Sequence, residues 1–153
     1  MCIALKSNMI PETSQYEDLK GLMLGEVLGM GIHRKVGVLK TNNKFVIKCA
    51  LEYPEINLLE NEIWNMVKET DIAKWFAPVY QISPCGMFMI QERAETRPKS
   101  EYPKYVPSFF GDMKYKNYGW INGNFVCVDY AVFIASSMSH KWSGKMKKAD
   151  WWE

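Results

Sequence analysis

The residues best placed to do chemistry lie in one stretch, Phe110-Gly111-Asp112-Met113-Lys114-Tyr115-Lys116-Asn117, followed further on by Asp129. A carboxylate can orient a hydroxyl and take its proton. A lysine close behind it can offset charge on a γ-phosphate, and an amide oxygen one turn later can hold Mg2+. Asp129 ends the apolar run Phe125-Val126-Cys127-Val128, a good place from which to project an oxygen ligand at a hard divalent cation. Taken singly, an aspartate can cap a turn or terminate a strand. Taken jointly, at this spacing, the set points to phosphoryl transfer.

A second group of candidates comes earlier. Gly29-Met30-Gly31 is followed by the alternating run Lys35 to Lys40, which reads as a strand. A dinucleotide fingerprint needs a helix there and a third glycine, and Arg34 stands in that place. The remaining use is a glycine loop inside a β-hairpin, whose backbone N–H groups can close over phosphates. Lys48 ends the apolar strand Phe45-Val46-Ile47, so a cation is placed at the edge of a core, where it is costly unless it meets an anion. Glu60 and Glu62 both flank the apolar stripe of the helix that follows, and helical phase does not choose between them.

These residues need elements to hold them. Two short strands, Glu26–Met30 and Lys35–Lys40, flank the glycine turn, and Thr41-Asn42-Asn43-Lys44 turns the chain into a third, Phe45–Lys48. A helix from Pro54 or Glu55 to about Glu69 carries Ile56, Leu59, Ile63, Met66 and Val67 on one stripe. Strands Pro78–Ile82 and Met87–Gln91 follow. Residues 92–104 are charged and proline-containing, which reads as a linker or exposed crossing, and residues 1–24 are mixed. Ile121-Asn122-Gly123-Asn124 is a hairpin signal leading into Phe125–Val128. The tail is basic and aromatic, with Lys141, Lys145, Lys147 and Lys148 beside Trp142, Trp151 and Trp152. Tryptophans of this kind suit a partner or dimer contact, or packing back over the small lobe.

Bulk properties exclude more than they assign. A chain of 153 residues supports one compact domain, and 48% apolar with 24% charged residues is ordinary for a globular protein. A net charge of +2 gives no case for nucleic acid as a partner. Cys2, Cys49, Cys85 and Cys127 are scattered without a C-x-x-C pair, which speaks against a structural metal or disulfide framework. No leader pattern and no run of about 20 apolar residues is present. The expectation is a reduced, cytoplasmic protein without membrane contact.

Across residues 25–131 the chain resembles the protein-kinase-like superfamily. Gly29-x-Gly31-x-x-Arg34-x-Val36 resembles the glycine-rich loop and Val46-Ile47-Lys48 the strand bearing the ATP lysine. Asn61-Glu62-Ile63 is similar to the segment carrying that lysine's helical partner, which favours Glu62 over Glu60. Met87 to Glu92 stands where adenine meets the hinge, Asp112-x-Lys114-x-x-Asn117 where the catalytic loop lies, and Asp129-Tyr130-Ala131 where the metal-binding tripeptide lies.

The resemblance implies an α+β fold with a five-stranded antiparallel sheet plus one helix over about 25–92, and a minimal second lobe over 105–153. It implies ATP and Mg2+ as cofactors. Asp112 and Lys114 would be catalytic, Asn117 and Asp129 metal ligands, and Gly29, Gly31, Arg34, Lys48, Glu62 and Glu92 nucleotide-binding. The departures are as informative. Phe110-Gly111 replaces His-Arg before the catalytic aspartate, which is closer to the aminoglycoside-phosphotransferase branch with its H-G-D pattern. Ala131 replaces the glycine after the metal aspartate, and too few residues follow Asp129 for the helices that bind a protein substrate. A size this small is similar to viral, especially bacteriophage, kinase-like proteins. The implied activities are phosphorylation of a protein, either this chain or a host protein, or else partner binding and inhibition with little catalysis.

Overall fold

The computed structural model describes residues 13–131 and 144–153. By contact the chain divides into two compact units, one of residues 1–61 and 78–93 and the other of residues 62–77 and 94–153.

The first unit is an antiparallel sheet of five strands: β1 (Leu24–Met30), β2 (Arg34–Leu39), β3 (Phe45–Ala50), β4 (Val79–Ile82) and β5 (Phe88–Glu92), in the spatial order β1-β2-β3-β5-β4. Helix α2 (Glu55–Val67) lies between β3 and β4 in the chain. Three strands, a helix, then two strands is the order that the sequence predicts.

Register sorts the side chains onto two faces. Cys49 pairs with Lys35 and Phe88, and Ile47 with Gly37 and Ile90, so these share one face. On the other face Lys48 pairs with Val36 and Met89, Val46 with Gln91, and Arg34 with Ala50.

The first face is covered by a helix absent from the sequence reading, α1 (Thr13–Met23). Tyr16 stacks on Phe88 at 5.1 Å between ring centres, and its hydroxyl donates to the Ala50 carbonyl. Leu19 and Met23 pack on the cluster of Leu39, Ile47, Cys49 and Phe88. Tyr16, Leu19 and Met23 recur at helical spacing, but the polar residues between them outweigh the stripe.

The second unit is built on aromatic packing. Strands β7 (Tyr118–Ile121) and β8 (Asn124–Cys127) form the expected hairpin. Asn122 and Gly123 have φ of 49° and 79°, the left-handed pair that a two-residue turn of this hand requires. A second ribbon joins β6 (Tyr105–Pro107) to β9 (Met146–Lys148), which the sequence did not signal. The predicted crossing at 92–104 is ordered: Glu95 and Trp120 exchange backbone bonds of 2.8 and 3.0 Å, and the Arg97 guanidinium lies 5.0 Å over the Trp120 ring. Phe76, Phe110, Tyr118 and Tyr130 are nearly or wholly buried. Trp151 lies against Tyr102, Tyr115, Tyr118 and Phe125 of this same unit, so it is an internal residue here and not a small-lobe cover. Trp142 and Lys141 fall outside the described residues. Among the described residues no helix is long and apolar enough to cross a membrane.

Cys49, Cys85 and Cys127 are free thiols. Burial pushes the Cys49 thiol from 9.0 up to about 11, the nearby Lys20 and Lys35 charges opposing the shift. The unfolded chain therefore loses this proton first. The contribution of this thiol to stability should be constant below pH 9 and fall as pH rises toward about 11. Urea midpoints measured across that window should show the fall, and Cys49→Ala should delay its onset.

Candidate functional site

Glycine usage in the first unit separates two reasons for glycine. At Gly37 an added Cβ would stand 2.8 Å from the Glu26 carbonyl oxygen, and at Gly25 2.8 Å from that of Val38, so packing demands glycine at both. At Gly29 a Cβ would meet nothing within 4 Å, and at Gly31 only the Arg34 carbonyl oxygen at 3.8 Å. Neither has a left-handed φ. The turn is closed by the Gly31 N–H donating to the Arg34 carbonyl at 2.8 Å. The fold gives no steric reason for these two glycines, and they leave the strand–turn surface bare.

On the sheet face opposite α1, Lys48 is 3% exposed and its ammonium pairs with Glu60 Oε1. Glu60 is fully buried. Its other oxygen accepts from Arg34 Nη2 at 3.0 Å, and Gln91 Nε2 donates to Oε1 at 3.2 Å. Asn57, one helical turn earlier, accepts from Arg34 Nη1 at 3.1 Å and donates to the carbonyls of Lys48 and Gly86 at 3.1 and 2.9 Å. The resemblance favours Glu62 as the partner of Lys48; the structure corrects this to Glu60, because Glu62 is exposed. Arg34 also moves from its expected place. It opens β2 with its guanidinium turned inward on Glu60 and Asn57, not along the rim of the glycine turn. Glu92 ends β5 and its N–H donates to the Pro78 carbonyl at 2.9 Å.

In the second unit Asp112 and Asn117 of the sequence-predicted set are in contact. Asp112 is exposed and takes φ 39°, a left-handed conformation uncommon for a residue with a Cβ. Asn117 Nδ2 donates to Asp112 Oδ2 at 2.9 Å and to the Asp112 carbonyl at 3.2 Å. With its nitrogen so used, the amide presents Oδ1 as its acceptor. The Asn117 carbonyl takes the Val128 N–H at 2.8 Å, which sets Asp129 one residue away. Burial first, then Cys127 and the charges of Asp112 and Asp129, hold the Tyr118 hydroxyl above its usual range. The Lys114 ammonium lies 4.5 Å over the ring of Trp152.

Among the described residues no three His, Cys, Asp or Glu side chains gather as a metal cage. An ion held by Asn117 and Asp129 would need phosphate and water oxygens to complete its shell, which is the mode Mg2+ favours. That donor set is all oxygen and fits the ion.

No protein-family description and no curated protein matches the chain. Among solved structures it is similar to a gentamicin complex of APH(2")-IIa, at TM-score 0.44 and 15% identity over 59% of this chain and 30% of that one. It is also similar to a ternary complex of streptomycin, ATP and APH(2")-IIa, at TM-score 0.41 and 16% identity over 59% of this chain and 31% of that one. The chain thus spans under a third of the length of either.

Glu60→Gln removes the charge that two buried cations share, and should cost about 3–5 kcal/mol. Glu62→Gln, at an exposed position, should stay within about 0.5 kcal/mol. Urea midpoints of the two variants distinguish the partner from the bystander.

Proposed function

We propose that this chain is an ATP- and Mg2+-dependent phosphotransferase. The observation that carries the reading is the Asn117 junction: its side chain holds the Asp112 carboxylate at 2.9 Å while its backbone carbonyl takes the N–H of Val128, the residue before Asp129. A hydroxyl-orienting carboxylate and two oxygen ligands for a metal are thereby built on one loop and hairpin. In this reading Asp112 accepts a hydrogen bond from the acceptor hydroxyl and takes its proton as the oxygen bonds to the γ-phosphorus and ADP departs. Asn117 and Asp129 hold the metal, which when bound offsets phosphate charge. Lys48, fixed by Glu60, binds phosphate oxygens, and the bare backbone at Gly29 and Gly31 lets the hairpin approach them. Glu92 lies at the strand end where the resemblance places adenine.

The acceptor is a hydroxyl, on this chain, on another protein or on a small molecule. A second reading, a kinase-shaped protein that binds a partner without transferring phosphate, is favoured by the exposed indole of Trp152.

Incubation with labelled ATP and Mg2+, alone, with cell lysate and with hydroxylated small molecules, tests both. Transfer by the parent should fall by roughly 10²–10⁴-fold in Asp112→Asn, and should disappear in Asp129→Asn. Gly29→Ala should leave the urea midpoint unchanged and weaken nucleotide binding. Nucleotide binding without transfer would favour the second reading; neither binding nor transfer would sink the first.

A further inference from the structure

The left-handed backbone at Asp112 is a conformation that persists only where its surroundings over-determine it. Four consecutive carbonyls around it show how this is done. Phe110 O accepts from the Lys147 ammonium, and Gly111 O from the Tyr118 hydroxyl. Asp112 O accepts from Lys114 N at 2.7 Å and Asn117 Nδ2 at 3.2 Å, and Met113 O from Trp152 N at 3.1 Å. The inner two anchors are local. The outer two come from a segment remote in sequence, and they grip the chain on either side of the aspartate.

That segment is itself held firmly. Val106 pairs with Lys147 and Pro107 with Met146 across the β6–β9 ribbon. Ser108 N donates to the Lys145 carbonyl and Ala149 N to that of Lys104, each at 2.9 Å. Trp151 Nε1 donates to the Pro103 carbonyl at 2.8 Å. A charged donor from a braced ribbon makes a stronger and better-directed anchor than a neutral one would. Trp152 adds a second function, since its indole sits under the Lys114 ammonium, 4.5 Å away. A cation over an indole face loses freedom that it would otherwise have in solvent.

We propose that residues 146–152 form a positioning strap for the Asp112 loop, with Lys147 fixing the backbone before the aspartate and Trp152 fixing the backbone and the lysine after it. The mechanistic consequence rests on the phosphotransferase reading; the mechanical one does not. Lys147 and Trp152 touch no reacting atom in this account. They act through the loop, by keeping the Asp112 carboxylate and the Lys114 ammonium in one arrangement from turnover to turnover.

The test uses the full chain with Lys147→Met, which keeps the aliphatic stem, and Lys147→Arg, which restores a charged donor. Trp152→Ala and Trp152→Phe complete the set. Amide hydrogen exchange is read by NMR at Phe110, Lys114 and Asn117, with the hairpin amides of β7 and β8 as internal references. In Lys147→Met the three loop amides should exchange about tenfold faster while the references stay unchanged. Phosphate transfer from ATP should lose about tenfold or more in kcat, with KM for ATP within about twofold. Arginine at 147 should restore both. Trp152→Ala should lower kcat and phenylalanine recover part of it.

Unchanged loop exchange in Lys147→Met, faster exchange throughout the hairpin as well, or failure of arginine to rescue would each overturn the strap. A rise in KM with kcat intact would do the same. If the parent transfers no phosphate, the phosphotransferase reading fails on its own. The exchange pattern and its rescue still decide whether the strap exists.

Discussion

A carboxylate with no access to water governs the first unit. Glu60 is fully buried, and an isolated charge there would cost far more than a domain's whole stability. It is tolerable because Arg34 from β2 and Lys48 from β3 bring cations to its two oxygens, while Gln91 and Asn57 fill hydrogen-bonding positions around them. This requirement fixes more than a pair of contacts. Slipping β3 by one residue would send Lys48 to the face that α1 covers with Tyr16, Leu19 and Met23, where no acid waits. The ion network therefore specifies strand register, the helix phase of α2 and the depth at which Lys48 is held.

The second unit treats its carboxylate in the opposite way. Asp112 is exposed, and what is constrained is its backbone. Glu60 is surrounded by charge and has no surface; Asp112 has surface and is surrounded by anchors on the neighbouring carbonyls. The first arrangement suits a carboxylate whose task is to hold a lysine. The second suits one that must meet a molecule arriving from solvent in a fixed direction. Two acids of similar chemistry are thereby held in different ways, one by burial among cations and the other by its backbone.

Much of this was legible in the residues. The alternation around Val36 and Val38, the apolar run before Lys48 and the Asn122-Gly123 turn all report local preferences that the fold respects, which is why the five-strand order and the hairpin were accessible. The contact between Asp112 and Asn117 was legible for a different reason: the two lie close in sequence, so that spacing constrains their geometry. Features set by distant pairing were not legible. The β6–β9 ribbon joins two three-residue strands, too short for any periodic signal, and the three apolar residues with which α1 packs on the sheet are set among polar ones. The strap on Asp112 belongs to this class, since nothing near Phe110 or Met113 announces that their carbonyls will be taken by Lys147 and Trp152.

The misreading of α2 has a more specific cause. Apolar residues alone put Ile56, Leu59, Ile63, Met66 and Val67 on the inner stripe, and Ile63 and Val67 are buried as expected, yet Met66 is 57% exposed and Leu58 beside that stripe 41%. The buried positions are Asn57, Glu60, Ile63 and Val67, also at helical spacing but with two polar members. A hydrophobic count discards such a stripe, because it assigns a polar side chain to solvent. The assignment reverses when a facing strand supplies cations and bare carbonyls, as β2, β3 and the turn at Gly86 do here. The informative signal was thus not on the helix alone. Arg34 and Lys48 lie on the same face of adjacent strands, and two buried cations on one sheet face require an acid opposite them. Of the two candidate acids Glu60 and Glu62, only Glu60 shares a stripe with the buried Ile63 and Val67, and phase measured from those two residues selects it where phase measured from the whole apolar set does not.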